Sequence, residues 1–250
     1  MIHWLLKIGD CRLKIWGNKF RATNKKYLGE GIGHTLTIKN GKKVYTKNFY
    51  KRRVWHDTQG KPAFVIGNGR SRLKFDLDTL RDKGTIYGCN ALYRDFRPDY
   101  LVAKDKTICQ EIAKNYPLHK RPCYTQKQNL NLDQNFVLIP KGPDGVYMTT
   151  GLTAVHIAIH DGHTKIYLLG FDTTYTSKDR QRNHVYAGTN AYGPKTVDED
   201  HSGFFAIRMF DFFNHFQNIN FIRVGGKTVD MFAKCKNLTH LTYKEMADIL

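Results

Sequence analysis

The sequence predicts an α/β protein: a Rossmann-like, mostly parallel sheet with helices on both faces, preceded by a small basic β-hairpin extension. Three observations carry that prediction. Short apolar runs such as Ala63-Phe64-Val65-Ile66 and Ile166-Tyr167-Leu168-Leu169 recur beyond residue 61, and strands apolar on both sides belong to sheets covered on both faces. Segments of helical composition alternate with these runs, which is the pattern of repeated βα units. Asn40-Gly41 stands between two alternating segments, 34–39 and 42–47, and Asn-Gly supplies the two positive-φ residues that a tight hairpin turn needs. Residues 1–61 are therefore assigned to the basic extension and residues 62–250 to the Rossmann-like domain.

Taken in order, residues 1–16 mix apolar and basic side chains without a clear period, and the hairpin follows. Ala63–Ile66 reads as a buried strand that ends at Gly67, with further strands expected at 85–88 and 100–103. A helix is expected over 107–115, then short strands at 122–124 and 136–139. The stretch 151–161 has helical composition, and Gly162 lies where a helix C-terminus favours positive φ. Lys165–Leu169 is the next strand. Residues 203–216 form an aromatic-rich helix whose Phe204, Phe205, Met209, Phe212, Phe213 and Phe216 recur at helical spacing as core packing. A strand at 221–224 and a closing helix over 242–250 complete the chain. The polar stretch 173–200, rich in Gly, Asn, Lys and Tyr, reads as a lid or binding loop.

With 250 residues, 41% of them hydrophobic and 13% aromatic, the chain can bury a large core, which excludes wholesale disorder. No run approaches the eighteen or so apolar residues of a membrane-spanning helix. The start, Met1-Ile2-His3-Trp4-Leu5-Leu6-Lys7, is too short and too soon basic for a secretory signal. The cysteines (Cys11, Cys89, Cys109, Cys123, Cys235) are odd in number and never spaced C-x-x-C, a pattern of free thiols in a reducing compartment. A soluble cytoplasmic protein is expected.

The net charge is +18, and residues 1–61 hold 15 basic against 3 acidic side chains, two thirds of the excess. Such a balance points to a polyanionic partner, such as nucleic acid or an acidic membrane surface. Lys39, Lys43 and Lys47 or their neighbours are expected on one hairpin face, with Lys42, Lys51, Arg52 and Arg53 nearby and Phe49, Tyr50 and Trp55 interleaved. Cations beside rings serve phosphates and unstacked bases together.

Ligands of parallel sheets sit at the carboxyl ends of the strands. Gly67-Asn68-Gly69-Arg70-Ser71 follows the first core strand, and its glycines let backbone amides approach a phosphate. Asn90, Asp105, Thr149-Thr150 ahead of Gly151, and Asp172 also follow strands or open helices. Together they suit recognition of a nucleotide. Other constellations are weaker. His156 and His160 stand one helical turn apart with His163 near, and Asp76/Asp78 and Asp198-Glu199-Asp200 pair carboxylates. No metal ligand is assigned from them, and a divalent ion stays possible beside the diphosphate.

Five segments then form a recognisable series: Ile66-Gly67-Asn68-Gly69-Arg70-Ser71, Gly88-Cys89-Asn90-Ala91-Leu92-Tyr93, Met148-Thr149-Thr150-Gly151-Leu152, Ile166-Tyr167-Leu168-Leu169-Gly170-Phe171-Asp172 and His201-Ser202. In that order they resemble the bacterial sialyltransferase family that modifies lipooligosaccharide, itself related to pterin pyrophosphokinase-like domains. The likeness covers about residues 62–235. It implies a nucleotide-sugar glycosyltransferase without an obligatory metal. By position, Asn68, Asn90 and Asp105 would line the nucleotide pocket, although the family tends to place Asn where Asp105 stands. Thr150 matches a serine near the donor phosphate, and Tyr186 and Tyr175 match two tyrosines that hold the departing phosphate. His201 matches the general base. Two departures bear on sugar and acceptor: Arg70 replaces a proline after Gly-Asn-Gly, and Tyr147 replaces an arginine before Thr149-Thr150.

The expected activity is transfer of a sugar from a CMP- or UDP-linked donor to a hydroxyl, with a modified base in DNA as the acceptor. The alternatives are a sialyltransferase-like enzyme on cell-surface glycan, a pterin pyrophosphokinase-like transferase, and a non-catalytic nucleic-acid-binding protein. Neutralising Lys42, Lys43, Lys51, Arg52 and Arg53 together should weaken DNA binding and reduce its salt dependence. Fluorescence anisotropy with duplex and single-stranded DNA over a salt series checks this, and unchanged affinity would remove DNA as the partner.

Overall fold

The computed structural model describes residues 60–118, 120–173, 184–193, 203–227 and 229–250 in full, and five strands within the first 59 residues by their backbone. Three of these, β1 (Trp4–Ile8), β2 (Cys11–Trp16) and β3 (Lys19–Ala22), pair antiparallel in that order. The other two, β4 (Gly31–Lys39) and β5 (Lys42–Tyr50), form the expected hairpin, with Lys39 opposite Lys42. The extension thus holds more than a hairpin. Cys11-Arg12-Leu13-Lys14-Ile15-Trp16 does alternate at period two, a strand signal, but the apolar Trp4-Leu5-Leu6 before it hides the pattern. Along this ladder Lys42 stands opposite Lys39, Lys43 opposite Ile38 and Lys47 opposite His34. Lys51, Arg52 and Arg53 lie outside the described residues.

The main sheet has eight strands: β6 (Ala63–Ile66), β7 (Thr85–Cys89), β8 (Tyr100–Val102), β9 (Cys123–Thr125), β10 (Phe136–Leu138), β11 (Lys165–Leu169), β12 (Asn220–Val224) and β13 (Leu238–Leu241). Their order is β10-β9-β8-β7-β6-β11-β12-β13, and every pairing is parallel. The chain therefore starts in the middle, builds outward to β10, and returns across β6 to lay down β11. That reversal makes a switch point between β6 and β11, where the loops diverge and leave a crevice. Four helices are α1 (Lys106–Asn115), α2 (Thr150–His160), α3 (Phe204–His215) and α4 (Tyr243–Ile249). After β6 and β7 the chain turns through short 3-10 helices, Arg70–Lys74, Leu77–Leu80 and Asn90–Arg94. Strand β13 is not among the expected elements: its middle residues Thr239 and His240 are exposed at the sheet edge and give it no apolar run.

Strand alternation divides the core. Ala63, Val65, Tyr87, Val102, Ile166, Leu168 and Phe221 face α2 and α3, packing on Leu152, Val155, Met209, Phe212 and Phe213. Phe64, Ile66, Ile86, Tyr167, Leu169, Ile222 and Val224 face the other way, against Leu80, Leu92 and Met246 of α4. On that second side Leu101, Cys123 and Phe136 meet Ile108, Cys109 and Ile112 of α1. Helices thus cover both faces. Of the α3 aromatic stripe, Met209, Phe212, Phe213 and Phe216 pack in or against the core as expected, whereas Phe204 and Phe205 are half-buried outside it, because the start of α3 lies at the rim, where Phe204 meets Tyr147. Gly162, at φ +98°, ends α2 with its amide on the Ile159 carbonyl at 2.9 Å. Cys89, Cys109, Cys123 and Cys235 are buried free thiols. No helix among the described residues is long and apolar enough to cross a membrane.

One side chain ties the end of α3 to β12. Asn237 Nδ2 donates to the carbonyls of Phe213, Phe216 and Ile219 at 3.0, 2.9 and 3.1 Å. Asn237→Asp would turn oxygen toward those carbonyls and should cost about 1–3 kcal/mol of stability, read from urea unfolding.

Candidate active site

Helices α1, α2 and α3 each carry the chain back from the carboxyl edge to start a parallel strand, so their N-termini open at that edge. Of the sequence candidates, Gly67, Asn68, Gly69, Ser71, Asn90, Asp105, Thr149, Thr150, Gly151 and Asp172 lie on that same rim. At its centre the loops after β6 and β11 touch through their backbones. The Gly67 amide donates to Leu169 O at 2.8 Å and the Gly69 amide to Gly170 O at 2.9 Å. A Cβ at Gly67 would lie 2.6 Å from Gly170 O, and one at Gly69 would lie 2.6 Å from the same oxygen and 2.5 Å from Asp172 Oδ2. Gly170 itself has φ +68°. The Gly-Asn-Gly sequence is thus required by the approach of one strand end to another.

Asp172 completes this join. Its Oδ2 accepts from the Ser71 amide at 3.0 Å and its Oδ1 from Ser71 Oγ at 2.5 Å. Asp172 and Ser71, both expected to bind nucleotide, are bonded to one another here. Asn68 and Asn90 lie beside this join. Asn68 Nδ2 donates to Cys89 O at 3.1 Å, which brings it beside Asn90. Both Oδ1 atoms are buried and find no hydrogen-bond partner among the described residues, and Asn90 holds a left-handed φ of +50°. Thr149 Oγ1 caps α2 by accepting from the Leu152 amide at 3.3 Å. Gly151 lies so near Phe171 that a Cβ would sit 3.1 Å from its ring. Asp105 is exposed at the start of α1, and its side chain makes no capping bond.

A strap of residues 184–193 lies over this loop. Gly69 and His184 form an antiparallel bridge, and the Val185 amide donates to Asn68 O at 2.9 Å. Tyr186, expected near the departing phosphate, is buried. Its hydroxyl accepts from Arg72 at 2.8 Å and donates to Asp95. Burial above all raises its pKa, and the Asp95 bond adds to that. The His184 ring stacks on Tyr192 at 4.4 Å. Burial, with Arg72 and Arg94 nearby, lowers its pKa to about 4.

Arg94 pins the strap. It bonds Glu111 through Nε and one terminal nitrogen, both at 2.7 Å, and reaches Thr189 Oγ1 at 2.6 Å and Asn190 O at 2.9 Å. Asn190 Nδ2 also donates to Glu111 at 2.7 Å. Arg72, Asp95, Arg94, Glu111, His184 and Tyr192 were not singled out from the sequence. His184 and Tyr186 two residues apart, with Tyr192 following, form the only local signal that could have marked them. The arginines look like any of the other basic residues.

Among the remaining expectations, His201, Tyr175 and Asp198–Asp200 lie outside the described residues. His156 is buried beside Phe216, its ring 6.4 Å from that of His160. His163 Nδ1 meets Lys61 O at 2.8 Å. Asp76 Oδ1 accepts from the Asp78 amide at 3.0 Å, a turn contact. No group of three or more His, Cys, Asp or Glu among the described residues could hold a metal ion. Tyr147, where the resemblance expects arginine, is 56% exposed. It lies between Arg208, 5.1 Å from its ring centre, and Lys104, 5.9 Å away.

No protein-family model matches the chain, and no curated protein does. Among solved structures it is similar to the monofunctional alpha-2,3-sialyltransferase Cst-I from Campylobacter jejuni. Identity is 14%, the match covers 70% of this chain and 79% of that one, and the TM-score is 0.51. It is also similar to a mutant of the alpha-2,3/8-sialyltransferase CstII, at 15% identity over 65% and 81% of the two chains with a TM-score of 0.42. The likeness to Cst-I shows a shared fold.

The Arg94 pair makes a pH prediction. Hydrogen bonds from Arg94 hold Glu111 down to about 2, below its ordinary 4.5. Its stabilising contribution is therefore full above 4.5 and lost as pH falls from there through about 2. Glu111→Gln should flatten the stability slope in that window, measured by urea unfolding at a series of pH values.

Proposed function

We propose that this protein is a glycosyltransferase that moves a sugar from a pyrimidine nucleotide donor to a hydroxyl acceptor. The observation that carries this reading is the pair of buried, unpartnered Oδ1 atoms of Asn68 and Asn90 at adjacent strand ends. A buried acceptor left alone costs free energy. A ligand with a donor edge, such as the amine of cytosine or the N3–H of uracil, would satisfy one. The α2 start at Thr149-Thr150-Gly151 offers amides for the phosphate. The similarity to Cst-I supports the same reading.

In this reaction the acceptor oxygen attacks the anomeric carbon as the bond to the nucleotide phosphate breaks. His201 takes the hydroxyl proton; imidazole titrates near neutral pH and suits that task. His201 stands two residues ahead of Gly203, which precedes α3. Negative charge then grows on the leaving phosphate. Tyr186, supported from behind by Arg72, would exchange its bond to Asp95 for one to a phosphate oxygen, with Tyr175 as the second phenol. This scheme routes no step through a metal.

The proposed acceptor is a hydroxylated base in DNA, extruded from the duplex, while the basic extension holds the backbone. That choice rests on the charge excess of residues 1–61. A second reading keeps the enzyme and makes the acceptor a surface glycan, favoured by the similarity to a sialyltransferase.

Incubating CMP- and UDP-sugars with hydroxymethylated DNA, and in parallel with oligosaccharide acceptors, tests both. A sugar-sized mass gain on DNA that is lost in His201→Ala is the expected result. Gain on oligosaccharide alone would move the acceptor to glycan, and product formed at an undiminished rate by His201→Ala would remove the assigned base. No transfer to either acceptor, with DNA still bound, would leave a binding protein. Activity on a pterin that disappears with chelator would indicate a pyrophosphokinase.

A further inference from the structure

We propose that His184 is a second, differently employed histidine of this site: an imidazole whose Nε2–H binds the phosphate of the donor nucleotide. The inference rests on the glycosyltransferase reading above and adds a residue and a chemical role to it.

The position comes from the backbone. His184 is bridged to Gly69, and the next residue bonds Asn68 O at 2.9 Å. This fixes the ring beside the Gly67–Gly69 loop, on the rim that also carries Asn68 and Asn90. The tautomer comes from one hydrogen bond. The Tyr186 amide donates to His184 Nδ1 at 3.2 Å, and a ring nitrogen that accepts carries no hydrogen. In a neutral imidazole the hydrogen then sits on Nε2, for which the described residues provide no partner. The orientation comes from packing. The ring lies 4.4 Å from Tyr192, nearly parallel to it, with Tyr186 edge-on at 6.0 Å.

Charge keeps the ring neutral. A second proton would have to enter at Nδ1, against the Tyr186 amide hydrogen. Arg72, from the turn after β6, and Arg94, from the turn after β7, both oppose a cation there, and burial does so most strongly. Of the groups around its aromatic neighbours, Asp95 is already paired with Arg72 and Tyr186, and Asp105 acts on Tyr192. A ring that cannot take a proton at Nδ1 and already holds one at Nε2 is not a general base. It is a fixed donor; each arginine is paired with a carboxylate, yet both still act on the ring as positive charges, which favours an anionic oxygen as its acceptor. A neutral imidazole used in this way stabilises growing negative charge without giving up its proton. The ligand class is therefore the phosphate of the nucleotide, with its base held at Asn68 and Asn90.

Titration calorimetry on the full chain, with CMP and UDP against cytidine and uridine, separates phosphate from base recognition. His184→Phe should lose about tenfold or more in affinity for the better-bound nucleotide, the usual worth of a hydrogen bond to a charged group. Its affinity for the matching nucleoside should be unchanged. His184→Gln, which can still donate, should recover most of the loss. Equal nucleotide binding by His184→Phe, or an equal loss for nucleoside, would overturn the proposal. Wild-type protein that binds neither nucleotide would instead overturn the underlying functional reading and this inference with it. A test that needs no variant is 15N NMR of the wild-type histidines at pH 7. It should show His184 protonated at Nε2 alone, and an Nδ1–H tautomer or an imidazolium would sink the idea.

Discussion

The close approach of the loops after β6 and β11 is the constraint on which the rim is built. Two parallel strands adjacent in the sheet but distant in sequence must each release their chain in opposite directions, and a crevice normally opens between them. In this protein the crevice floor is stitched shut for three residues by the Gly67 and Gly69 amides on Leu169 and Gly170. The Asp172 bonds to Ser71 then prolong the seam past the ladder. Asn68 is held between two such anchored glycines, so its side chain leaves in one direction, across to β7. The placement of Asn90 beside it follows from the same seam.

A second level of order is electrostatic. Arg72 and Arg94 emerge from 3-10 turns, which follow β6 and β7 in place of full α-helices. The short turns keep these arginines close to the strand ends instead of carrying them a helix length away. Each is matched by a carboxylate, Asp95 and Glu111, and each then spends further hydrogens on the strap of residues 184–193. Guanidinium suits this use because its planar fork can serve a carboxylate on one edge and other acceptors on the next. The strap is in this way fastened by side chains from two neighbouring turns and by the backbone of the loop after β6.

Much of the architecture could be read from sequence because it rests on local pattern. Ala63–Ile66 and Lys165–Leu169 are apolar without interruption, as strands covered on both sides must be, and Gly162 marks a helix end by its conformation. Elements whose stability is supplied by neighbours were harder to see. Leu238–Leu241 is a strand because β12 offers it an edge, and β1 is obscured by consecutive apolar residues. The site divides along the same line. Gly67, Asn68, Gly69 and Asn90 follow strands and could be found by position alone. Asp172 was found too, but its partner is Ser71, and a bond between residues 101 positions apart leaves no trace in spacing. Arg72 differs from the exposed Arg70 only by where the 3-10 turn points it.

The exclusion of Cβ atoms from positions 67, 69 and 170 also restricts where this rim can vary. At these positions two main chains pass with no room for a substituent between them, and a methyl group on any of them would push the two strand ends apart. Asn68 and Arg70 alternate with the glycines, and a different side chain at either would leave the join between the loops intact. The invariant part of the rim is thus the one that has no side chains.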